Sequence, residues 1–154
     1  MILNYIFITI ATFLLMECIA WCTHKYIMHG FLWQWHEDHH QPRANKYFEK
    51  NDYFFIVFAA PSILLFLLGR FWESHFYFTF IALGILLYGI AYFLVHDIFI
   101  HQRLKWFSRT NNFYFVALRK AHKIHHKDQH KNDGKCFGML FVPLKYFREA
   151  LKNK

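Results

Sequence analysis

The chain has 154 residues, 56% of them hydrophobic and 22% aromatic, with a formal charge of +8 at pH 7. That length makes one domain, and a mean hydropathy barely above zero reflects very apolar blocks alternating with very polar ones. Such alternation marks membrane spans joined by polar segments and argues against nucleic acid as the reason for the positive charge. Cys18, Cys22 and Cys136 are too few for a disulfide framework and are read as packing residues with no redox role.

Ile2 to Trp21 is apolar and long enough to cross about 30 Å of hydrocarbon at about 1.5 Å per residue. It opens without a basic start and carries no small-residue cleavage site, so an uncleaved span is expected. Glu17 interrupts it. An intramembrane carboxylate is costly and faces a protein interior unless it snorkels to the membrane surface; the interior, structural role is the reading adopted. Glu17 precedes His24 by seven residues, about two turns, which puts both on one helix face. His24 to Asp52 is polar and basic, with Pro42 closing its histidine block. Tyr53 to Gly69 is a second span, in which Pro61 is tolerated as a kink or offset. The short Arg70–Ser74 connection makes it the antiparallel neighbour of a third, Phe76 to Val95. Gly84 and Gly89 either allow close helix approach or are simply tolerated in a membrane helix. Beyond His96 the chain reads as a helix around Val116 to His126 and a polar loop at 127–135. An apolar stretch, Phe137 to Leu144, then docks on the bundle or lies in the interface, and a basic solvated end follows. The expected fold is therefore an all-α integral membrane bundle, one domain over 1–154, with spans near 2–22, 53–69 and 76–95.

Three spans put residues 24–52 and everything after His96 on one side of the membrane. Seventeen of the eighteen Lys and Arg share that side, leaving only Arg70 opposite, so the positive-inside rule makes it cytoplasmic.

Ten of the twelve histidines fall into two matched halves. His24 and His29, then His36, His39 and His40, repeat as His96 and His101, then His122, His125 and His126. On a helix, positions i, i+3 and i+4 share a face, so each triplet can point into one site. Five steps of an α-helix leave two rings about 140° apart. His24 and His29 therefore either reach different metals or sit where the helix opens near Gly30, and the same choice holds for His96 and His101. Ten imidazoles exceed what one ion accepts, since a zinc site takes four ligands in all. A two-metal centre with open positions for oxygen or water is expected, and imidazole alone does not select among iron, zinc, copper and nickel. His75 and His130 stand apart and are read as ordinary polar residues.

His36-Glu37-Asp38-His39-His40 also satisfies H-E-x-x-H, the zinc-protease helix with Glu as general base. Lys123 replaces that Glu in the second half, and a protease would leave most of the other histidines unused. A ferritin-like carboxylate site needs more Glu-x-x-His pairs than the chain has. A bis-histidine haem would use two of the ten rings. A non-enzymatic metal carrier is a further alternative.

The blocks resemble the membrane fatty-acid hydroxylase and sterol-desaturase superfamily, and within it the bacterial β-carotene hydroxylases. The likeness is carried by His24 through Trp33 leading into His36–His40-Gln41-Pro42-Arg43, and by Asn51-Asp52. It continues through His96-Asp97 with His101-Gln102-Arg103, and Ala121-His122 with His125-His126. It runs from about Glu17 to Phe141, with all four boxes intact. It implies two iron ions held by the ten histidines and hydroxylation of each β-ionone ring at carbon 3; ligand type leaves zinc able to substitute in a purified sample. β-Carotene would pass through cryptoxanthin to zeaxanthin, using O2 and two electrons, commonly from a ferredoxin. An apolar carotenoid would enter from the lipid bilayer, and the protein would lie in a bacterial inner membrane. Asp97 beside His96 is a candidate for fixing that ring's tautomer, with helix-end solvation the alternative. The basic face could steer an acidic ferredoxin, and topology alone also accounts for it. Hydroxylation or desaturation of another lipid is the near alternative, and a metalloprotease using His36, Glu37 and His40 the distant one.

Overall fold

In hydrocarbon a backbone can satisfy its N–H and C=O groups only within itself, and each apolar run accordingly folds as a long helix. The computed structural model describes residues 1–41, 48–106, 109–127, 129–131 and 134–152. Pro42 and Arg43, and parts of the 127–135 loop and of the basic end, lie outside the described residues. Helix α1 (Ile2–Cys22) runs without a break into a π-helical segment, Thr23–Phe31, followed by α2 (Trp33–His40). A 3₁₀ turn at Lys50–Asp52 leads into α3 (Tyr53–Phe71), which carries Pro61 within it. Helix α4 (Tyr77–Tyr92) continues into a second π-helical segment, Phe93–Ile100, and the chain ends in α5 (Phe113–His125) and α6 (Leu144–Lys152). All ordered elements among the described residues are helical.

Among the described residues, three helical runs, Ile2–Phe31, Lys50–Phe71 and Tyr77–Ile100, are long and apolar enough to cross a membrane. Their outer faces are apolar and exposed, as at Phe7, Leu14, Phe55, Leu64 and Ile90, which suits lipid contact. The first and third runs extend past the expected limits of 22 and 95, and these extensions carry His24, His29 and His96. The protein is thus an all-helical membrane protein whose spans themselves deliver part of the histidine set.

Helix α4 packs against both α1 and α3. Gly84 permits the first contact, because a Cβ there would lie 2.6 Å from Thr12 Cβ and 2.7 Å from the Thr9 carbonyl. Gly89 has no such neighbour within 4 Å, so only one of the two span glycines serves close approach. Thr9 Oγ1 donates to the Phe80 carbonyl at 3.3 Å and Ser62 Oγ to the Ala82 carbonyl at 2.9 Å, tying both pairs.

The C-terminal end is not simply solvated. Tyr146 and Ala150, four apart on one face of α6, are buried against Ala117, Leu118 and Ala121 of α5, while Lys145, Arg148 and Lys152 stay exposed. Between these helices, residues 134–142 form an irregular strap. It docks on the bundle through buried Met139, Leu140 and Val142. Glu17 holds it. The carboxylate is buried and accepts the backbone N–H groups of Met139, Leu140 and Phe141 on Oε1 at 2.9, 3.0 and 3.0 Å, and the Tyr88 hydroxyl on Oε2 at 2.7 Å. The interior reading of this acid is the one the structure shows. Cys18 and Cys22 are exposed on α1, Cys136 is half-buried in the strap with its thiol 3.2 Å from the Tyr146 hydroxyl, and all three are free.

Candidate metal centre

Two helix segments wound with i→i+5 hydrogen bonds resolve the five-residue spacing. Leu32 N–H bonds the Ile27 carbonyl at 3.0 Å and His101 N–H bonds the His96 carbonyl at 2.9 Å, both five residues back. The wider turn takes up the angle an α-helix would leave between rings five apart. His24 and His29 come within 5.2 Å, centroid to centroid, and His96 and His101 within 4.5 Å. Each pair joins one cluster, so the alternative of two different ions for one pair does not apply. The opening reaches from Thr23 to Phe31, with Gly30 at a non-helical φ of −104° and ψ of −124°.

The rings gather into two clusters that do not follow the two halves of the sequence. His24, His29, His36, His40 and His125 form one and His39, His96, His101 and His122 the other, with donor nitrogens in each within 4.8 Å of one another. Helix geometry explains the exchange. At 100° per residue, His40 lies about 40° from His36, but His39 lies about 60° to the other side, and α2 runs between the clusters. The same offset turns His125 away from His122 on α5. His39 therefore sits 4.8 Å from His96 and 4.3 Å from His101, and His125 sits 4.5 Å from His24. The triplets expected to share one face are each divided. His126 occupies the seam, 4.5 Å from His40 and from His122 and 4.8 Å from His39. Its Nε2 is buried with no hydrogen-bond partner among the described residues.

The hydrogen bonds on the far side of the rings fix the tautomers. Nδ1–H donates to the Phe137 carbonyl from His24 (3.0 Å), to the Lys131 carbonyl from His29 (3.3 Å) and to the Lys135 carbonyl from His125 (2.8 Å). It donates to Asn51 Oδ1 from His36 and to Glu49 Oε2 from His39, both at 2.7 Å. An Nδ1 facing such an oxygen carries the proton, which leaves a lone pair on Nε2. Nε2 atoms face each other within the clusters, His24 to His36 at 3.1 Å, His29 to His125 at 3.3 Å, His36 to His40 at 3.1 Å, and His39 to His96 at 3.1 Å. His101 and His122 meet the same way at 2.8 Å. In His24–His36 and His29–His125 both tautomers are fixed, so no proton lies between the nitrogens and the contact is repulsive without a cation. Metal–nitrogen bonds of about 2.0–2.1 Å place neighbouring ligand atoms about 2.9–3.4 Å apart. The residues fit a metal in each cluster, and the orphaned His126 nitrogen fits a ligand between them.

Electrostatics agree. Burial first, and the surrounding imidazoles second, push His125 down to about 3 and His126 to about 2, and hold His39 and His122 well below the usual histidine range; burial and then the Arg103 guanidinium push His101 down to about 4. Burial likewise lowers His36, against the pull of its bond to Asn51. Neutral rings are what a metal requires.

Charged residues support the second cluster. Arg103 pairs with Glu49 at 3.0 Å, Asp52 at 2.9 Å and Asp97 at 3.1 Å. The preceding residue, Gln102, has a left-handed φ of 54° where the chain doubles back. Asp97 Oδ2 lies 3.5 Å from His96 Nδ1, an ion-pair distance without hydrogen-bond geometry. Glu49 and the strap carbonyls are absent from the sequence reading. Glu49 had a local signal, since with Asp52 it forms a capping box around the 3₁₀ turn; the carbonyls had none. His75 stacks on Phe78 and His130 is exposed, both outside the clusters. Glu37 is half-buried, accepts from Gln41 at 3.2 Å and belongs to neither cluster.

An apolar cleft of about 430 Å³ opens beside the first cluster's helix segments. Met16, Ile19, Ile27, Phe54, Phe58 and Ile85 are among its lining residues.

The family model described as fatty acid hydroxylase matches residues 9–146. A beta-carotene hydroxylase of Pantoea ananas is 42% identical over 138 residues, 88% of this chain and 76% of that one. A beta-carotene hydroxylase of Paracoccus sp. (strain PC1) is 38% identical over 88% of this chain and 83% of its own. A chloroplastic beta-carotene 3-hydroxylase of an Oncidium hybrid cultivar is 39% identical, and this chain covers 44% of its length. No solved structure gives a significant match.

Proposed function

We propose that this chain, which belongs to the fatty acid hydroxylase family, is a membrane hydroxylase acting on the β-ionone rings of β-carotene at carbon 3. Zeaxanthin is the product, with cryptoxanthin between. The observation that carries the reading is the pair of crossed imidazole clusters, their Nε2 lone pairs converging at the ends of membrane helices. His24, His29, His36, His40 and His125 would hold one iron, and His39, His96, His101 and His122 the other, with His126 between. Iron bound there would supply the reductive use of O2 that an unactivated ring C–H bond demands.

This chain's own residues do the rest. Asn51, Glu49 and the carbonyls of Lys131, Lys135 and Phe137 keep the ring protons on Nδ1 and so aim Nε2 inward. The apolar cleft suits a rod-like substrate drawn from the bilayer, and its hydrocarbon lining excludes water along that path. Electrons would come from an acidic ferredoxin-type donor. The exposed Lys105, Arg109, Lys123, Lys127, Lys131 and Lys135 offer it a basic face. By the positive-inside rule that face and the metals would lie on the cytoplasmic side, and a bacterial inner membrane would be the setting.

Expression in cells that accumulate β-carotene, with chromatography of the pigments, tests the proposal. Cryptoxanthin and zeaxanthin are expected. Unchanged β-carotene beside a hydroxylated or desaturated membrane lipid would favour the neighbouring lipid reading. The three further histidines that share a cluster with His36 and His40 weigh against a protease, whose catalytic zinc takes three protein ligands and a water.

A further inference from the structure

We propose that Glu17 is a positioning residue for one of the two ions, acting through the 134–142 strap and touching no histidine itself. The inference rests on the two-ion reading above. A carboxylate in a membrane span is costly unless its interactions offset the burial. Here four donors converge on it, three of them consecutive backbone N–H groups of the strap. Two residues before Met139, the Phe137 carbonyl accepts from His24, and the Lys135 carbonyl accepts from His125. Between those carbonyls Cys136 holds a left-handed φ of 62°, which a side-chain-bearing residue adopts only when its surroundings impose it. Gly138 is tight as well. A Cβ there would collide with the Phe141 carbonyl and lie 3.4 Å from Glu17 Oε1. The strap has no ladder of its own, so its register over the rings rests on the Glu17 bonds, on Tyr114, whose hydroxyl donates to the Leu140 carbonyl at 2.7 Å, on the Cys136–Tyr146 contact and on the burial of Met139, Leu140 and Val142.

Both rings held this way belong to one cluster. In the other cluster, His39 is held by Glu49 and His96 lies beside Asp97, neither of them on the strap. Loss of Glu17 therefore acts on one ion and spares the other, which a general loosening of the fold would not do. Loss of such an outer hydrogen bond lowers metal affinity about 10- to 100-fold.

The test is iron retained per chain when the loaded full-length protein, in detergent, is challenged with graded chelator. Wild type is expected to keep two ions at a chelator level where Glu17→Ala keeps one. Glu17→Gln, whose carbonyl still accepts the strap N–H groups, is expected to stay close to wild type. Gly138→Ala, which displaces the strap and leaves the carboxylate in place, should repeat the loss of one ion, so the inference stays testable if Glu17→Ala does not fold. Two ions retained by both Glu17→Ala and Gly138→Ala, or equal loss of both ions, would overturn it. A wild type that never holds more than one ion would instead overturn the two-ion reading.

Discussion

Asn51 and Glu49 are two residues apart at one turn, yet they hold rings of different clusters, His36 and His39. Asn51→Leu keeps the branched shape and removes the acceptor. His36 Nδ1–H, buried and bonded at 2.7 Å, then either goes unsatisfied at a cost of about 1–3 kcal/mol or moves its proton to Nε2, where the metal must bind. At about 1.4 kcal/mol per tenfold, that is about 5- to 150-fold in affinity at the first cluster. Glu49→Leu does the same to His39 in the second, while Arg103 keeps Asp52 and Asp97. Chelator competition on purified protein reads both. Each single variant is expected to keep one ion under conditions where wild type keeps two, and the double variant none. A double variant that keeps as much metal as either single one would refute the crossed assignment, because both residues would then serve the same ion.

Other consequences follow from the same geometry. Gly84→Ala drives a methyl against Thr12 and the Thr9 carbonyl and should cost about 1–3 kcal/mol in detergent unfolding, whereas Gly89→Ala should be neutral; equal effects would deny the close approach. Glu37→Gln should leave pigment hydroxylation largely intact, while His39→Ala and His125→Ala should each sharply reduce it, as zeaxanthin yield would show. Metal-free protein should lose stability as pH falls below about 6.5, the ordinary histidine value. Burial keeps His101 near about 4 and His125 near about 3 when folded, so the unfolded chain binds more protons across that window. Each ring then costs about 1.4 kcal/mol per pH unit, and a flat profile of denaturant midpoints from pH 7.5 to 5 would contradict this.

Much of the architecture is legible in the residues. Apolar runs of 17 to 20 residues, a short Arg70–Ser74 connection and the side taken by the cations specify the helices and gather the histidines at one end. The finer arrangement depends on contacts distant in sequence. No local pattern announces π-winding over Thr23–Phe31, because its justification is the convergence of His24 and His29 on rings from elsewhere. His39 and His125 change clusters through a 60° offset that matters only once α2 and α5 are placed. Glu17 shows its burial in the sequence, but three of its four partners lie more than a hundred residues away in a strap whose backbone, not its side chains, makes the contacts, and the fourth is Tyr88 on α4.

Anomalous scattering at the iron edge from crystals of the iron-loaded protein addresses the central claim most directly. Two peaks are expected, one among His24, His29, His36, His40 and His125 and the other among His39, His96, His101 and His122. A single peak, or two peaks divided as His24–His40 against His96–His126, would contradict it.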